Sequence, residues 1–357
     1  MSGQQQHAPG APVAPDFLAA MERSAIQPLW DRYHKILRAE PSAPDRPFLW
    51  RWTELQGFIE RAAREVSMDK AERRVLMLVN PDFKGQVITT TNLFAGIQIL
   101  GPGESARPHR HTASALRLII EGSGGATIVN GQHCPMLPGD LILTPNWAWH
   151  EHVNQGQSRV VWLDGLDLPL TSHLGAIFAE GGGTNDYSDT PVIADAAFGQ
   201  GGVTPDIAFA DLPYSPLFRY PWSNVLAALD AAPARPDGTS RVHYTNPVDG
   251  RPVMPTMDCY AWRISRGQET ARYRTTANAV YLAVEGEGTS QIGGESFAWR
   301  KHDVFTVPHW NWASHRAKSV DAHLFMFTDR EVLRSVGLLR EEEASRETAP
   351  SPLGPML

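Results

Sequence analysis

Two stretches, GESARPHRH at residues 103–111 and PGDLILTPNWAWHEH at 138–152, decide how the chain is read. Side chains alternate along a β-strand, so His109 and His111 project from the same face. His150 follows a Gly-Asp turn and an apolar run, and on a strand paired with the first it completes a facial set of three imidazoles. Three neutral imidazoles suit iron, zinc, copper or nickel and do not suit calcium or magnesium. The plainer alternative is three unrelated histidines with ordinary hydrogen bonds; the whole two-part pattern weighs against it.

Working outward, the pattern occurs twice. GQETARYRT at 267–275, LAVEG at 282–286 and KHDVFTVPHWNWASH at 301–315 repeat the order GESARPHRH, LIIEG and PGDLILTPNWAWHEH. His109 and Tyr273 each precede a glycine, Gly122 and Gly286, by 13 residues. PNWAWHEH and PHWNWASH share the proline, both tryptophans and the final histidine at one shift. An internal repeat of this kind takes precedence over any single motif. In the second copy Tyr273, Thr275 and Ala313 replace the three histidines, so one metal per chain is expected and the second copy becomes scaffold or interface.

The chain has 357 residues, enough for two full-size domains. Its net charge of −7 argues against a nucleic-acid binder, which carries a basic footprint. Two cysteines are too few for a disulfide framework. The N-terminal residues have no apolar core of a secretory signal, and no apolar run approaches the ~20 residues of a membrane span. A cytoplasmic protein is expected.

Short β-branched runs bounded by Gly, Pro or Asn fill 73–166: RRVLMLV, GQVITTT, FAGIQIL, LRLIIEG, GATIVN, DLILTP and VVWLDGL. They predict an antiparallel barrel or sandwich. CYAWRI, AVYLAVEG, TSQIG, DVFTVP and AHLFMFT predict another. The division that follows is a flexible arm (1–15) and helical region to residue 72, a first β domain over 73–169 and a linker over 170–240. A second β domain spans 241–328, and a helix and tail span 329–357. Within the N-terminal region, one helix is expected over 16–37 with a break at Pro28, and another is capped by Thr53.

The first copy resembles the cupin double motif. Gly103, His109, His111 and Gly122 match G(X)5HXH and its glycine; Gly139, Pro145, His150 and Asn154 match G(X)5P(X)4H(X)3N. The resemblance implies a mainly β bicupin of two jelly-roll barrels with the metal at the first barrel's mouth. Trp147 stands where cupins usually have glycine, and Ala115 stands where most carry a glutamate ligand. Without that carboxylate a divalent metal keeps its full charge and up to three open positions. A bidentate anion and O2 would fill them, a variation on the open facial triad of non-haem iron oxygenases.

His109-Arg-His111 with Arg117, NLFAGIQ at 92–98 and WLDGLDLPL at 162–170 resemble the gentisate and salicylate 1,2-dioxygenase family over most of the chain. The resemblance implies one Fe(II) per chain on His109, His111 and His150, and a reaction that opens the ring of a small aromatic 2-hydroxy acid with O2. It also implies a homo-oligomer, a tetramer by analogy, with neither nucleic acid nor membrane as partner. Arg117, His152 and Asp164 match catalytic positions; Arg73, Phe94 and Gln98, with Arg117 and His152, match substrate contacts. The choice between Arg73 and Arg74 stays open. Phe94 sits where relatives carry Tyr or Trp.

Residue chemistry agrees with several of these roles. Arg117 lies six residues after His111, in phase with the barrel interior, where a guanidinium can clamp a carboxylate; its alternative is a surface ion pair. His152 shares the phase of His150, but His315 keeps the same place without a metal. Asp164 is either a partner of Arg117 or a solvated turn residue. Both Trp pairs occur in both copies and read as packing, with Trp147 the one to approach the substrate if either does. Two other functions remain open on residues alone: a non-catalytic ligand-binding bicupin, and a metal-dependent isomerase or decarboxylase.

Overall fold

The computed structural model describes residues 13–182, 193–199, 201, 203–206 and 212–344. The segment to Pro41 is a compact unit separate from the rest. It holds helices Pro15–Arg23 and Tyr33–Ile36. The first ends before Pro28 is reached, because Ala25 turns the chain with φ of 55°. Residues 1–12 of the expected arm lie outside the described residues.

From Ser42 onward the chain forms two β-barrels of matching topology. In the first, a six-stranded sheet runs in the order 219–220, 141–144, 115–121, 160–166, 94–100, 75–77. It faces a five-stranded sheet in the order 179–181, 105–111, 150–154, 125–129, 132–136. The second barrel repeats both orders, with 49–50, 304–307, 279–285, 321–328, 258–265, 240–243 facing 341–343, 273–275, 313–317, 287–292, 295–300.

Each barrel borrows an edge strand from the segment that leads into the other. Leu49–Trp50 pairs with the second barrel's 304–307, and Arg219–Tyr220 with the first barrel's 141–144. A helix follows each borrowed strand, Trp52–Glu65 and Trp222–Ala231. The first backbone N–H of each helix is capped by an aspartate of the opposite barrel. Trp52 donates to Asp303 at 2.7 Å and Trp222 to Asp140 at 2.8 Å. A carboxylate at a helix N-terminus satisfies an orphan donor and meets the positive end of the dipole. The cap is therefore Asp303 and not Thr53, which already lies inside the helix.

The six-stranded sheets are buried on both faces. Leu116, Leu118, Leu163, Ile97 and Ile99 pack with Cys259, Val280, Leu282, Phe325 and Phe327 in one core shared by the barrels. Alternate residues of the same strands, Ile119, Trp162 and Leu100, fill the first barrel. Burying such a side chain is worth roughly 1.5–3 kcal/mol, so a register slip that exchanged the faces would be costly.

Two expected elements differ. GQVITTT at 85–91 is a loop, because the Thr89 hydroxyl donates to Leu78 O at 2.6 Å and accepts from Ala95 N at 2.7 Å. Such side-chain bonds compete with a strand ladder. The C-terminal helix runs only from Arg330 to Ser335. Gly337 turns the chain at φ 74°, and Glu341–Glu343 becomes a strand on 273–275. Residues beyond 344 of the expected helix and tail lie outside the described residues. The expected linker 170–240 contributes two strands, 179–181 and 219–220, and the helix Trp222–Ala231.

Candidate metal centre

His109 and His111 come from the strand Ser105–His111, and His150 opens the neighbouring strand, directly opposite His109. Pro108 is accommodated by a register break in that pair between Ala106 and His109, the kind of place a strand tolerates proline. One nitrogen from each of the three rings lies within 4.8 Å of the others.

Backbone carbonyls hold the rings in a metal-binding orientation. His111 Nδ1 lies 2.7 Å from Ala113 O, His150 Nδ1 2.9 Å from Ala148 O and His109 Nδ1 3.3 Å from Arg107 O. An Nδ1–H donated to a carbonyl leaves the Nε2 lone pair free. His150 Nε2 is buried with no hydrogen-bond partner. Burial, with lesser contributions from neighbouring cations, pulls His109 down to about 2 and His150 well below the usual histidine range. Burial also takes His111 to about 4. All three rings are neutral near pH 7, the form a divalent metal takes, so the donor set fits a transition metal of the iron–nickel–copper–zinc group.

Arg117 is inside the barrel, 4% exposed, with Nη1 2.5 Å from Thr144 Oγ1. Asp164 faces it across the strand pair, Oδ1 3.4 Å from Arg117 Nε, and accepts from Trp162 Nε1 at 2.9 Å. Burial raises Asp164 to about 6 and lowers Arg117 to about 10, each partly countered by the other. The pairing favours the charged form of each. Arg73 reaches Arg107 O at 3.1 Å and touches His109 Nδ1. Arg74 turns the other way, to Glu104 and Val66 O, so Arg73 is the arginine at the centre.

His152 is fully buried, its Nδ1 3.0 Å from Thr127 Oγ1 and its Nε2 without a partner. His315 and Ser290 reproduce that pair in the second barrel at 2.8 Å. Gln98 is buried with its Nε2 unpartnered. The Phe94 ring lies against Gly96, so close that a Cβ there would stand 3.1 Å from Phe94 Cζ and 2.8 Å from Val75 Cγ1.

Trp147, the tryptophan that would approach the substrate if either did, packs against Phe178 and under Arg110. Arg110, which points away from the two histidines flanking it, stacks on Trp147 at 4.4 Å and Trp149 at 4.7 Å. It also pairs with Glu180 at 2.7 Å. Arg274, Trp310, Trp312 and Glu342 form the same stack in the second barrel. Trp147 and Trp310 both have positive φ, 60° and 58°. A bulky residue there is strained by on the order of 1–3 kcal/mol, and the cation–π stack offsets part of that. The straps Ala179–Gly181 and Glu341–Glu343, which supply the glutamates, were not anticipated. The matching sequences FLWRWTEL at 48–55 and FRYPWSNV at 218–225, ahead of the two barrels, are the signal that extends the repeat beyond the barrels themselves.

Twin jelly-roll barrels with a three-histidine cluster in the first define a bicupin. Residues 96–166 match the cupin domain family. The chain is 36% identical over 332 residues to gentisate 1,2 dioxygenase 1 of Aquipseudomonas alcaligenes, covering 91% of this chain and 95% of that protein. It is 35% identical to 5-aminosalicylate 1,2-dioxygenase of a Comamonas species, covering 90% and 88%. The crystal structure of salicylate 1,2-dioxygenase from Pseudoaminobacter salicylatoxidans in adduct with gentisate superposes with a TM-score of 0.88 at 31% identity, over 97% and 98% of the two chains. The chain belongs to the gentisate/salicylate 1,2-dioxygenase family and is a ring-cleaving dioxygenase of hydroxybenzoates.

Proposed function

We propose that the chain is an iron(II) enzyme that opens a 2-hydroxybenzoate between the carboxyl-bearing carbon and the adjacent hydroxylated carbon, incorporating both atoms of O2. The observation that carries this reading is the convergence of three neutral histidines, held by their Nδ1 atoms, beside a buried arginine. His109, His111 and His150 would hold the metal. Iron(II), when bound, supplies a Lewis acid and a template on which a chelating substrate and O2 meet.

The remaining roles follow from donors and charge. A metal on His109 Nε2 leaves the proton on Nδ1, which then cannot accept from Arg73. The Arg73 guanidinium turns instead to an anion, and the substrate carboxylate is the one this reaction brings. Arg117, kept charged and oriented by Asp164, stabilises negative charge as it develops. Gln98 Nε2 offers a hydrogen bond to substrate oxygens. His152, with Thr127 donating to its Nδ1, offers an Nε2–H. No step needs Trp147.

The ring substituents follow from Phe94, which offers apolar surface and no donor. The second hydroxyl of gentisate, para to the first, would lose its water partner there without gaining a new one. Salicylate and 5-halo or 5-nitro salicylates, which place no O–H at that position, are favoured over gentisate. Oxygen uptake by iron-loaded protein across salicylate, gentisate, 5-chlorosalicylate, 5-nitrosalicylate and 1-hydroxy-2-naphthoate ranks them. Benzoate and 3- or 4-hydroxybenzoate, which cannot chelate, should give none. Reaction with gentisate alone would refute the reading of Phe94.

A further inference from the structure

The mouth of the second barrel keeps the layout of the metal centre without its ligands. Arg241 lies opposite Trp262 across paired strands, as Val75 lies opposite Gln98 in the first barrel. A cavity of about 260 Å³ opens there, lined by Arg235, Arg241, Trp262 and Tyr273 and bordered by the strap Glu341–Glu343. Since a water occupies ~30 Å³ of liquid, the space is large enough for a single-ring acid.

The cavity's acidic groups are largely engaged. Asp237 accepts from Ala271 N–H at 2.8 Å and from the Thr239 N–H and hydroxyl at 2.9 and 2.7 Å. Glu342 is bonded to Arg274 at 2.7 Å, and Glu341 to Arg330 at 3.0 and 2.7 Å. The cationic side is not matched in the same way. Arg235 Nε is buried without a hydrogen bond, and its nearest carboxylates, Asp237 and Glu343, stand off at 3.9 and 4.0 Å. Arg241 has no carboxylate at ion-pair distance among the described residues; it lies over Trp262 at 4.8 Å and Tyr260 at 5.1 Å. Trp262 Nε1 is also buried without a partner.

Buried donors without acceptors are costly, and guanidinium groups match the paired oxygens of a carboxylate. The Trp262 indole backs both guanidiniums, Arg235 at 5.5 Å and Arg241 at 4.8 Å, and adds an N–H donor without a partner. We propose that the mouth of the second barrel is a non-catalytic binding site for a small aromatic carboxylate, which would displace the loosely held Glu343 from Arg235. Two guanidinium groups line the mouth of the barrel, Arg241 from its exposed edge strand and Arg235 partly buried, and with no metal ligands the site binds without cleaving. The inference does not depend on the reaction proposed for the first barrel.

Anaerobic calorimetric titration of the iron-loaded protein with salicylate tests it. Wild type should bind one equivalent per chain more than Arg235→Gln/Arg241→Gln, which should keep its iron content. Equal stoichiometry and affinity in the two proteins would overturn the proposal. His150→Ala reports separately on the first barrel, so failure of the proposed reaction leaves this comparison intact. Wild-type crystals exposed anaerobically to 5-iodosalicylate provide a check without a variant. An iodine peak beside Arg241 and Trp262 supports the site, and iodine confined to the first barrel rules it out.

Discussion

Asp164 lies directly across the strand pair from Arg117, its Oδ1 3.4 Å from Arg117 Nε and 2.9 Å from Trp162 Nε1. Neither group is exposed beyond 4%. In the proposed reaction Asp164 would aim and neutralise Arg117 until an anionic substrate arrives. Arg117→Ala should therefore keep the metal and lose about 10²-fold or more in turnover, typical for removing such a group. Asp164→Asn should lower kcat less than Arg117→Ala, because the guanidinium remains but is no longer aimed. Turnover near wild type in Arg117→Ala, at full iron content, would exclude this role.

The second barrel lacks nitrogen ligands at the three metal positions, and its His315 is tied to Ser290. Metal analysis after anaerobic iron(II) reconstitution should give about one iron per chain. His109→Ala or His150→Ala should abolish iron binding and activity together. His315→Ala should leave iron content unchanged. Two tightly bound ions per chain would contradict the account of the repeat.

The stack of Arg110 on Trp147 and Trp149 compensates a strained backbone at Trp147. Arg110→Gln should destabilise the protein by about 1 kcal/mol, mostly through the lost cation–π contact, since its ion pair with half-exposed Glu180 is worth little. Urea denaturation followed by tryptophan fluorescence measures it. An unchanged midpoint would show that the stack does not hold the turn.

Asp45 is 4% exposed, and its carboxylate has no cationic partner at ion-pair distance among the described residues, with Thr90 and its own backbone N–H near it. Burial raises it from 3.8 to about 6. The folded state thus holds the proton more tightly than the unfolded chain, so this contribution is complete below the unfolded value and is lost as pH rises through about 6. Asp45→Asn should raise stability at pH 7 by on the order of 1 kcal/mol, and the advantage should vanish near pH 4. Denaturation at the two pH values decides; a gain equal at both would point to another cause.

The histidine triad, the inward phase of Arg117 and the loss of ligands in the second copy were legible, because strand alternation and motif spacing are local. Asp164 was ambiguous because one aspartate after an apolar strand fits a turn as well as an ion pair; only the register opposite Arg117 separates the two. Thr53 looked like a cap because the true cap, Asp303, is far away in sequence. The straps were illegible for the same reason. Three residues such as Glu341–Glu343 carry no period, and their pairing depends on Arg274 and Gly337. The recurrence of the Trp pairs pointed to packing at Trp147, but not to its cause, a chain reversal at positive φ that turns the ring onto Arg110.

The central claim is tested most directly by turnover of salicylate under 18O2 in iron-loaded wild-type protein, with His150→Ala as the blank. The ring-opened product should carry two 18O atoms, and the variant should form none. Absence of oxygen uptake in fully iron-loaded protein across the 2-hydroxybenzoates, or a product carrying a single 18O with the ring intact, would contradict the account.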